Sequence, residues 1–171
     1  STFAPTNLKF MKFYIVDAFT SVPFGGNTAG VVLLEDDKGF PSDTLMQKIA
    51  AQLRYSETAF IKQNGERDFT IRYFTPEGEV DLCGHATIAS FKVLMECGKA
   101  TEGDVCLNRT LAGDLNVYVG EQIMMDMATP QVVGKEVGMK ELYRIMAGRE
   151  METVQELPVE IISTGLPDII L

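Results

Sequence analysis

The 171-residue sequence has no tryptophan, one histidine and three cysteines. Each scarcity closes off a class of chemistry. A lone histidine, His85, excludes a metal centre built from several histidines of one chain. Cys83, Cys97 and Cys106 are odd in number and lack a close pair, so they outline neither a disulfide framework nor a zinc knuckle. Such cysteine usage points to a reducing compartment, and the expected location is cytoplasmic. Basic residues are outnumbered, 15 against 24, which leaves a net charge of −9. That surface repels phosphate backbones, so no nucleic-acid partner is expected. No apolar run approaches the roughly 18 residues of a membrane span, and no membrane partner is expected either. Stretches such as Gly30-Val31-Val32-Leu33-Leu34 are strand-sized.

The composition that remains is globular. Hydrophobic residues make up 46% and charged residues 23%, which excludes a disordered tail or a fibre. Residues 1–10 precede a start-like Met11-Lys12-Phe13 and lack the cationic head and apolar middle of a signal peptide. They are set aside as a tag remnant or short extension.

From there the pattern alternates strands and turns. Lys12 to Phe19 reads as a strand, Ser21 to Asn27 as a loop, and Ala29 to Leu34 as a buried strand. Ser42 caps a predicted helix from Asp43, on which Leu45, Met46, Ile49, Ala50 and Leu53 share one face. Ser56 to Lys62 and Asp68 to Thr75 form a hairpin whose predicted turn is Asn64-Gly65. Val80 to Cys83 is a brief strand. A helix then opens at Gly84-His85 and runs to about Glu96. Ala86, Ile88, Ala89, Phe91, Val93 and Leu94 make it apolar nearly all round, which places it at the centre of its domain. Strands are expected over Asp104 to Asn108, Asp114 to Val119 and Gln122 to Met127. A boundary falls at Thr129-Pro130. Beyond it come a helix (Met139 to Ala147) and apolar runs at Val159 to Ile162 and Ile169 to Leu171.

Three segments offer chemistry. In Phe24-Gly25-Gly26-Asn27, two glycines admit close backbone approach and Asn27 offers donors and acceptors; the competing reading is a plain turn. In Ser56-Glu57-Thr58-Ala59-Phe60, a carboxylate at the head of an apolar strand suits a proton shuttle, with apolar walls raising its pKa; the competing reading is a surface glutamate. In Asp81-Leu82-Cys83-Gly84-His85-Ala86-Thr87, a strand ends, glycine turns, and His85 opens a helix whose free amides favour an anion. The helix dipole disfavours an imidazolium there, so His85 is expected neutral near pH 7. A packed core histidine is the alternative. Cys83 is either a nucleophile activated by the helix N-terminus or an inert buried thiol.

Together these segments resemble the phenazine-biosynthesis PhzF-like family. The likeness rests on Val16-Asp17-Ala18-Phe19-Thr20, Pro23-Phe24-Gly25-Gly26-Asn27, Ser56-Glu57-Thr58-Ala59-Phe60, Arg72-Tyr73-Phe74-Thr75-Pro76 and the Cys-Gly-His-Ala-Thr that ends Val80 to Thr87. It implies an α+β, diaminopimelate-epimerase-like fold: a curled, mostly antiparallel sheet wrapped around a central helix, in two similar halves with the site between them. It implies no cofactor. It makes Glu57 the catalytic acid/base, His85 its assistant, and Asn27, Thr75, Cys83 and Gly84 substrate-binding positions. Cys83 aligns with one of the two cysteines of related amino-acid epimerases.

Two departures accompany the likeness. The usual Gly-Asn-Pro reads Gly26-Asn27-Thr28, and the second half is largely missing. The expected organisation is an N-terminal domain over 11–129 and the start of a truncated second domain over 130–171. The two apolar runs beyond Thr129 are expected to lack partner strands, so that the chain self-associates or joins its missing half. The function expected is a cofactor-independent isomerase or epimerase moving a proton on a small carboxylate-bearing metabolite, inactive at this length. The alternative is a non-catalytic oligomeric relic or small-acid binding module. The one glycine-rich loop lacks the spacing of a dinucleotide fingerprint, and nothing supports phosphoryl transfer.

Overall fold

The unbroken apolar run after Ala29 is explained by a strand covered on both faces. Val31 and Leu33 belong to one buried cluster, Val32 and Leu34 to another. The computed structural model that shows this describes residues 11–127, 129–134, 144 and 160–163, with the backbone of 167–170. It divides into two compact units, 1–126 and 127–171.

In the first unit, β1 (Met11–Ala18) and β2 (Asn27–Leu34) form an antiparallel hairpin. The helix α1 (Asp43–Leu53) then carries the chain to β3 (Thr58–Gly65), which lies parallel to β2 with Gly30 opposite Thr58. Ser42 caps α1 as expected, its Oγ accepting from the Leu45 N–H at 3.3 Å. β4 (Asp68–Phe74) returns antiparallel to β3, and β5 (Glu79–Val80) pairs with its end. After α2 (Gly84–Glu96), β6 (Val105–Thr110) joins β4 in parallel. β7 (Gly113–Tyr118) and β8 (Met124–Met125) then extend the sheet. The strand order is β1-β2-β3-β4-β6-β7-β8, with β5 beside β4.

The sheet curls. α2 contacts β1, β2 and β3, and it also contacts β8 at the far end of the strand order. A flat sheet would not bring both ends to one helix. Ala86, Ala89, Phe91, Val93 and Leu94 of α2 are buried against Val31, Ala59, Ile71, Tyr73 and Val117. Ile88, predicted for the same face, is only half-buried. On the sheet's other face α1 packs Met46 and Ala50 against Val32, Leu34, Phe60 and Phe74. Two helices on opposite faces thus divide each strand's side chains by parity.

Three expected boundaries move. The hairpin turns at Glu66-Arg67 rather than Asn64-Gly65, with Arg67 at φ 59 and an irregularity in the ladder between Gln63 and Gly65. The Asn64 amide instead donates to Asp68 Oδ1 and Thr70 Oγ1, both at 2.9 Å, so its side chain pins the hairpin from inside the strand. The expected strand Val80 to Cys83 is only Glu79–Val80, because Asp81 to Cys83 turn into α2. Of Gln122 to Met127, only Met124–Met125 pair.

The second unit contains a three-stranded antiparallel sheet, in the order β11-β10-β9, formed by β9 (Gln131–Val132), β10 (Glu160–Ser163) and β11 (Pro167–Ile170). This corrects the expectation of unpaired runs. Glu160 stands opposite Ile170 and Ile161 opposite Ile169, so the two runs are short-range partners for each other's backbone groups. The predicted helix Met139 to Ala147 lies outside the described residues except Arg144, which is helical. Among the described residues, no helix is long and apolar enough to cross a membrane.

Candidate active site

The pairing places four predicted site residues at one end of the curled sheet. Asn27 opens β2, Glu57 immediately precedes β3, Thr75 immediately follows β4, and Gly84 opens α2. Parallel β2 and β3 start at the same end and antiparallel β4 finishes there. The Gly30 N–H donates to the Glu57 carbonyl at 3.1 Å, which fixes the backbone of Glu57 against β2.

At the centre of this end, Nε2 of His85 lies 3.3 Å from Glu57 Oε2, with the two side chains 10% and 21% exposed. The approach is at ion-pair distance without hydrogen-bond alignment, and Oε2 is buried with no hydrogen-bond partner. A buried carboxylate oxygen left unpaired is costly and calls for an explanation, a catalytic role being one. The other imidazole nitrogen, Nδ1, is 3.2 Å from Cys83 Sγ. Ser56 Oγ is 3.4 Å from Nε2.

The state of Cys83 decides which way these contacts run. Burial pushes its thiol up to about 12, and the neighbouring Glu57 carboxylate adds to the rise; the backbone amides of Ala86 and His85 act the other way and lose. Desolvation thus works against the activation by the helix N-terminus that the first of the two readings of this cysteine invokes. Where the protonated thiol donates to Nδ1, the ring proton of a neutral imidazole lies on Nε2, facing Glu57 and Ser56; in the other tautomer Nδ1–H donates to Sγ.

The helix end itself is open. Cys83 is the N-cap of α2 but makes no side-chain cap hydrogen bond. The carbonyl of Cys83 is held firmly, accepting from Thr87 N–H at 3.0 Å and from the Thr87 hydroxyl at 2.7 Å. Thr87 Oγ1 in turn meets Tyr73 Oη at 2.6 Å, and Asn108 Nδ2 donates to the same phenol oxygen at 3.0 Å. This fully buried chain runs from β6 through β4 to the first turn of α2. Burial raises the Tyr73 phenol pKa, so it stays a neutral hydrogen-bonding group.

The remaining predicted residues sit at the rim. Asn27 is exposed at the head of β2. Its loop is anchored by a residue that sequence reasoning did not single out. Asp17 Oδ2 accepts from the Phe24 N–H at 2.8 Å and Oδ1 from the Thr28 hydroxyl at 2.5 Å, which lowers its pKa. Gly26 is required by contact, because a Cβ there would lie 2.2 Å from the Ala18 carbonyl oxygen. The Thr75 hydroxyl is engaged in its own turn, accepting from the Glu77 and Gly78 amides, both at 3.1 Å. The structure therefore brings together Glu57, His85 and Cys83 beside Gly84, with Asn27 and Thr75 at the ends of the neighbouring strands. Ser56 and Asp17 were visible only as members of quoted motifs. Nothing in the pattern marked Tyr73, Thr87 and Asn108 as a set.

A profile of the phenazine biosynthesis-like protein family, PhzC-PhzF, matches residues 16–171. The chain belongs to that family. It is 39% identical over 155 residues to a protein of Bacillus subtilis named uncharacterized isomerase YfhB, covering 88% of this chain and 52% of the relative. The crystal structure of a PhzF-family phenazine biosynthesis protein from Bacillus anthracis is 31% identical and matches with a TM-score of 0.70, over 93% of this chain and 55% of the other. A predicted epimerase of Pseudomonas aeruginosa, 21% identical, matches with a TM-score of 0.72 over 91% of this chain and 56% of the other, and shows the shared fold alone. The PhzF-like chain thus has the diaminopimelate-epimerase-like α+β architecture expected of it. It spans about half the length of the curated relatives it matches.

Proposed function

We propose that this PhzF-like chain carries the acid/base wall of a cofactor-independent isomerase or epimerase acting on a small carboxylate-bearing metabolite. The observation that supports it most is the 3.3 Å approach of His85 Nε2 to the buried, unpaired Glu57 oxygen, beside the uncapped N-terminus of α2. In the proposed reaction, Glu57 removes a proton from a carbon next to a carboxylate or carbonyl. The C–H electron pair moves into that group, and the protonated Glu57 returns the proton to a carbon of the same molecule. No net oxidation occurs. The amides of Gly84 and His85 would hold the substrate carboxylate, where free N–H groups and the helix dipole favour negative charge. His85, its Nε2 proton toward Glu57, would assist the transfer. Cys83 would orient His85 through Nδ1. Asn27 and Thr75 would shape the rim.

The facing wall is proposed to come from a second half like that of the longer relatives, or from another copy, so the 171-residue chain alone is expected to be inactive. The cytoplasmic location is proposed on cysteine usage. The test measures solvent deuterium incorporation into a panel of small carboxylates, for the chain alone and for a chimera joined to the second half of the Bacillus subtilis relative. Exchange that requires both the second half and Glu57 supports the reading. Exchange that survives Glu57→Gln refutes it.

A further inference from the structure

The corner of the site contains more ligand chemistry than proton transfer uses. Among the described residues, Glu57, Cys83 and His85 converge, with one metal-ligating atom of each within 4.8 Å of the other two. The types are a carboxylate oxygen, a thiol sulfur and an imidazole nitrogen, the mixed set that zinc accepts in three-ligand sites with an open fourth position. The Sγ to Nδ1 separation of 3.2 Å is a few tenths of an ångström below the roughly 3.6 Å that a nitrogen and a sulfur ligand span on one tetrahedral ion, given metal–ligand bonds of about 2.0–2.3 Å. The buried Oε2 of Glu57 has no hydrogen bond to give up. The second imidazole nitrogen also has what a ligating histidine needs. With Nδ1 on a metal, Nε2–H faces Ser56 Oγ at 3.4 Å, an outer partner that would hold the ring in place.

We infer that Glu57, Cys83 and His85 form a site for a thiophilic divalent cation of the zinc class, whose occupancy switches the acid/base pair off. Binding breaks the Cys83 S–H bond and forms a sulfur–metal bond, and the proton leaves to the solvent; His85 Nδ1 and a Glu57 oxygen supply lone pairs. No electron transfer is involved. Thiolate and carboxylate together cancel the charge of the ion, which removes the objection that a bare cation faces the N-terminus of a helix. Because a proton is released, affinity rises with pH. The sulfur donor makes the site selective for metals that bind sulfur strongly over magnesium or calcium.

The inhibitory half of this inference rests on the proposed isomerase reading; the binding half does not. The chain has a single histidine, so its ring nitrogens give one unambiguous pair of nitrogen-15 signals. Zinc chloride is titrated into the 171-residue protein, with those signals and proton release followed together. The expected result is saturation at one ion per chain, a shift of the Nδ1 signal, and a proton released per ion. Cys83→Ser should weaken binding at least about 100-fold, while Cys97→Ser leaves it unchanged. Circular dichroism establishes that each variant is folded, and Cys83→Ala serves where the serine variant is not. His85 signals that do not move at equimolar zinc, or a folded Cys83 variant that binds like the parent, overturn the site. In the chimera, zinc should abolish Glu57-dependent exchange at the occupancy the titration gives. Exchange that continues at full occupancy overturns the switch, while exchange that never depended on Glu57 refutes the isomerase reading and leaves the metal site standing.

Discussion

The two ends of α2 are built on opposite principles. At its C-terminus Gly98 adopts φ 67, its N–H donates to the Met95 carbonyl and the Lys99 N–H to the Leu94 carbonyl. That is a Schellman closure, in which the terminal carbonyls are answered by backbone. The side chains around it are matched as well. Lys99 Nζ meets Asp36 and Gln63 at 2.7 and 2.6 Å, and Arg67 meets Asp104 at 2.8 Å. At the N-terminus no side chain caps the amides, Glu57 has a buried oxygen without a hydrogen bond, and His85 is shared between a thiol and a carboxylate. One end has its polar groups spent on the fold; the other holds them in reserve. The difference teaches where to look for chemistry in a helix that is otherwise mostly buried and apolar.

Substitutions at the two ends should therefore separate function from stability. The largest effect is expected from Glu57→Gln, which keeps shape and removes the base. Exchange in the chimera should fall by at least about 100-fold, while the thermal midpoint stays near that of the parent. Near-parental exchange would erase the functional half of the contrast. Tyr73→Phe tests the chain that ties the open end to the core. It leaves Asn108 Nδ2 buried without its acceptor and should cost about 1–3 kcal/mol in urea unfolding. Next comes Gly98→Ala. Nothing lies within 4 Å of the added methyl, so the penalty is the left-handed backbone alone, about 1–2 kcal/mol, with no change at His85. A shift of the His85 signals in that variant would show that the two ends are coupled. The smallest effect at neutral pH concerns Cys83. Its folded pKa is raised from 9.0 to about 12, so the thiol's preference for the folded state is fully present below pH 9 and is lost as pH rises toward 12. Stability should decline across that window, and Cys83→Ala should flatten the decline.

The same contrast explains what the sequence disclosed. Patterns that report burial were readable. The run from Ala29 to Leu34 is continuous because both faces of β2 are covered, and α2 is apolar on most sides because the sheet curls about it, leaving Lys92 and Glu96 to the solvent. Motifs that repeat a local geometry were readable too, so Glu57, Cys83, Gly84 and His85 could be named in advance. Other features depend on residues that meet only after folding. The parallel pairings of β2 with β3 and β4 with β6 have no local signature. Neither has the Asn108–Tyr73–Thr87 chain, whose members come from three elements. Asn64-Gly65 misled because turn propensity is a local preference, and the Asn64 side chain found better partners in Asp68 and Thr70. The two readings of Cys83 stood side by side because the helix dipole is visible in sequence and desolvation is not.

The curl of the sheet also governs how the molecule comes into being. The hairpins β1-β2, β3-β4 and β6-β7 join neighbours in the chain and can close early, since short loops lose little entropy. The wrapping step is different in kind. α2 touches β1 at the start of the chain and β8 after it, so the helix is sealed only when segments as distant as Met11 and Met125 have both arrived. Contacts that far apart in sequence are slow to form. During synthesis the chain must therefore emerge through β8 before α2 can be enclosed from both ends of the sheet.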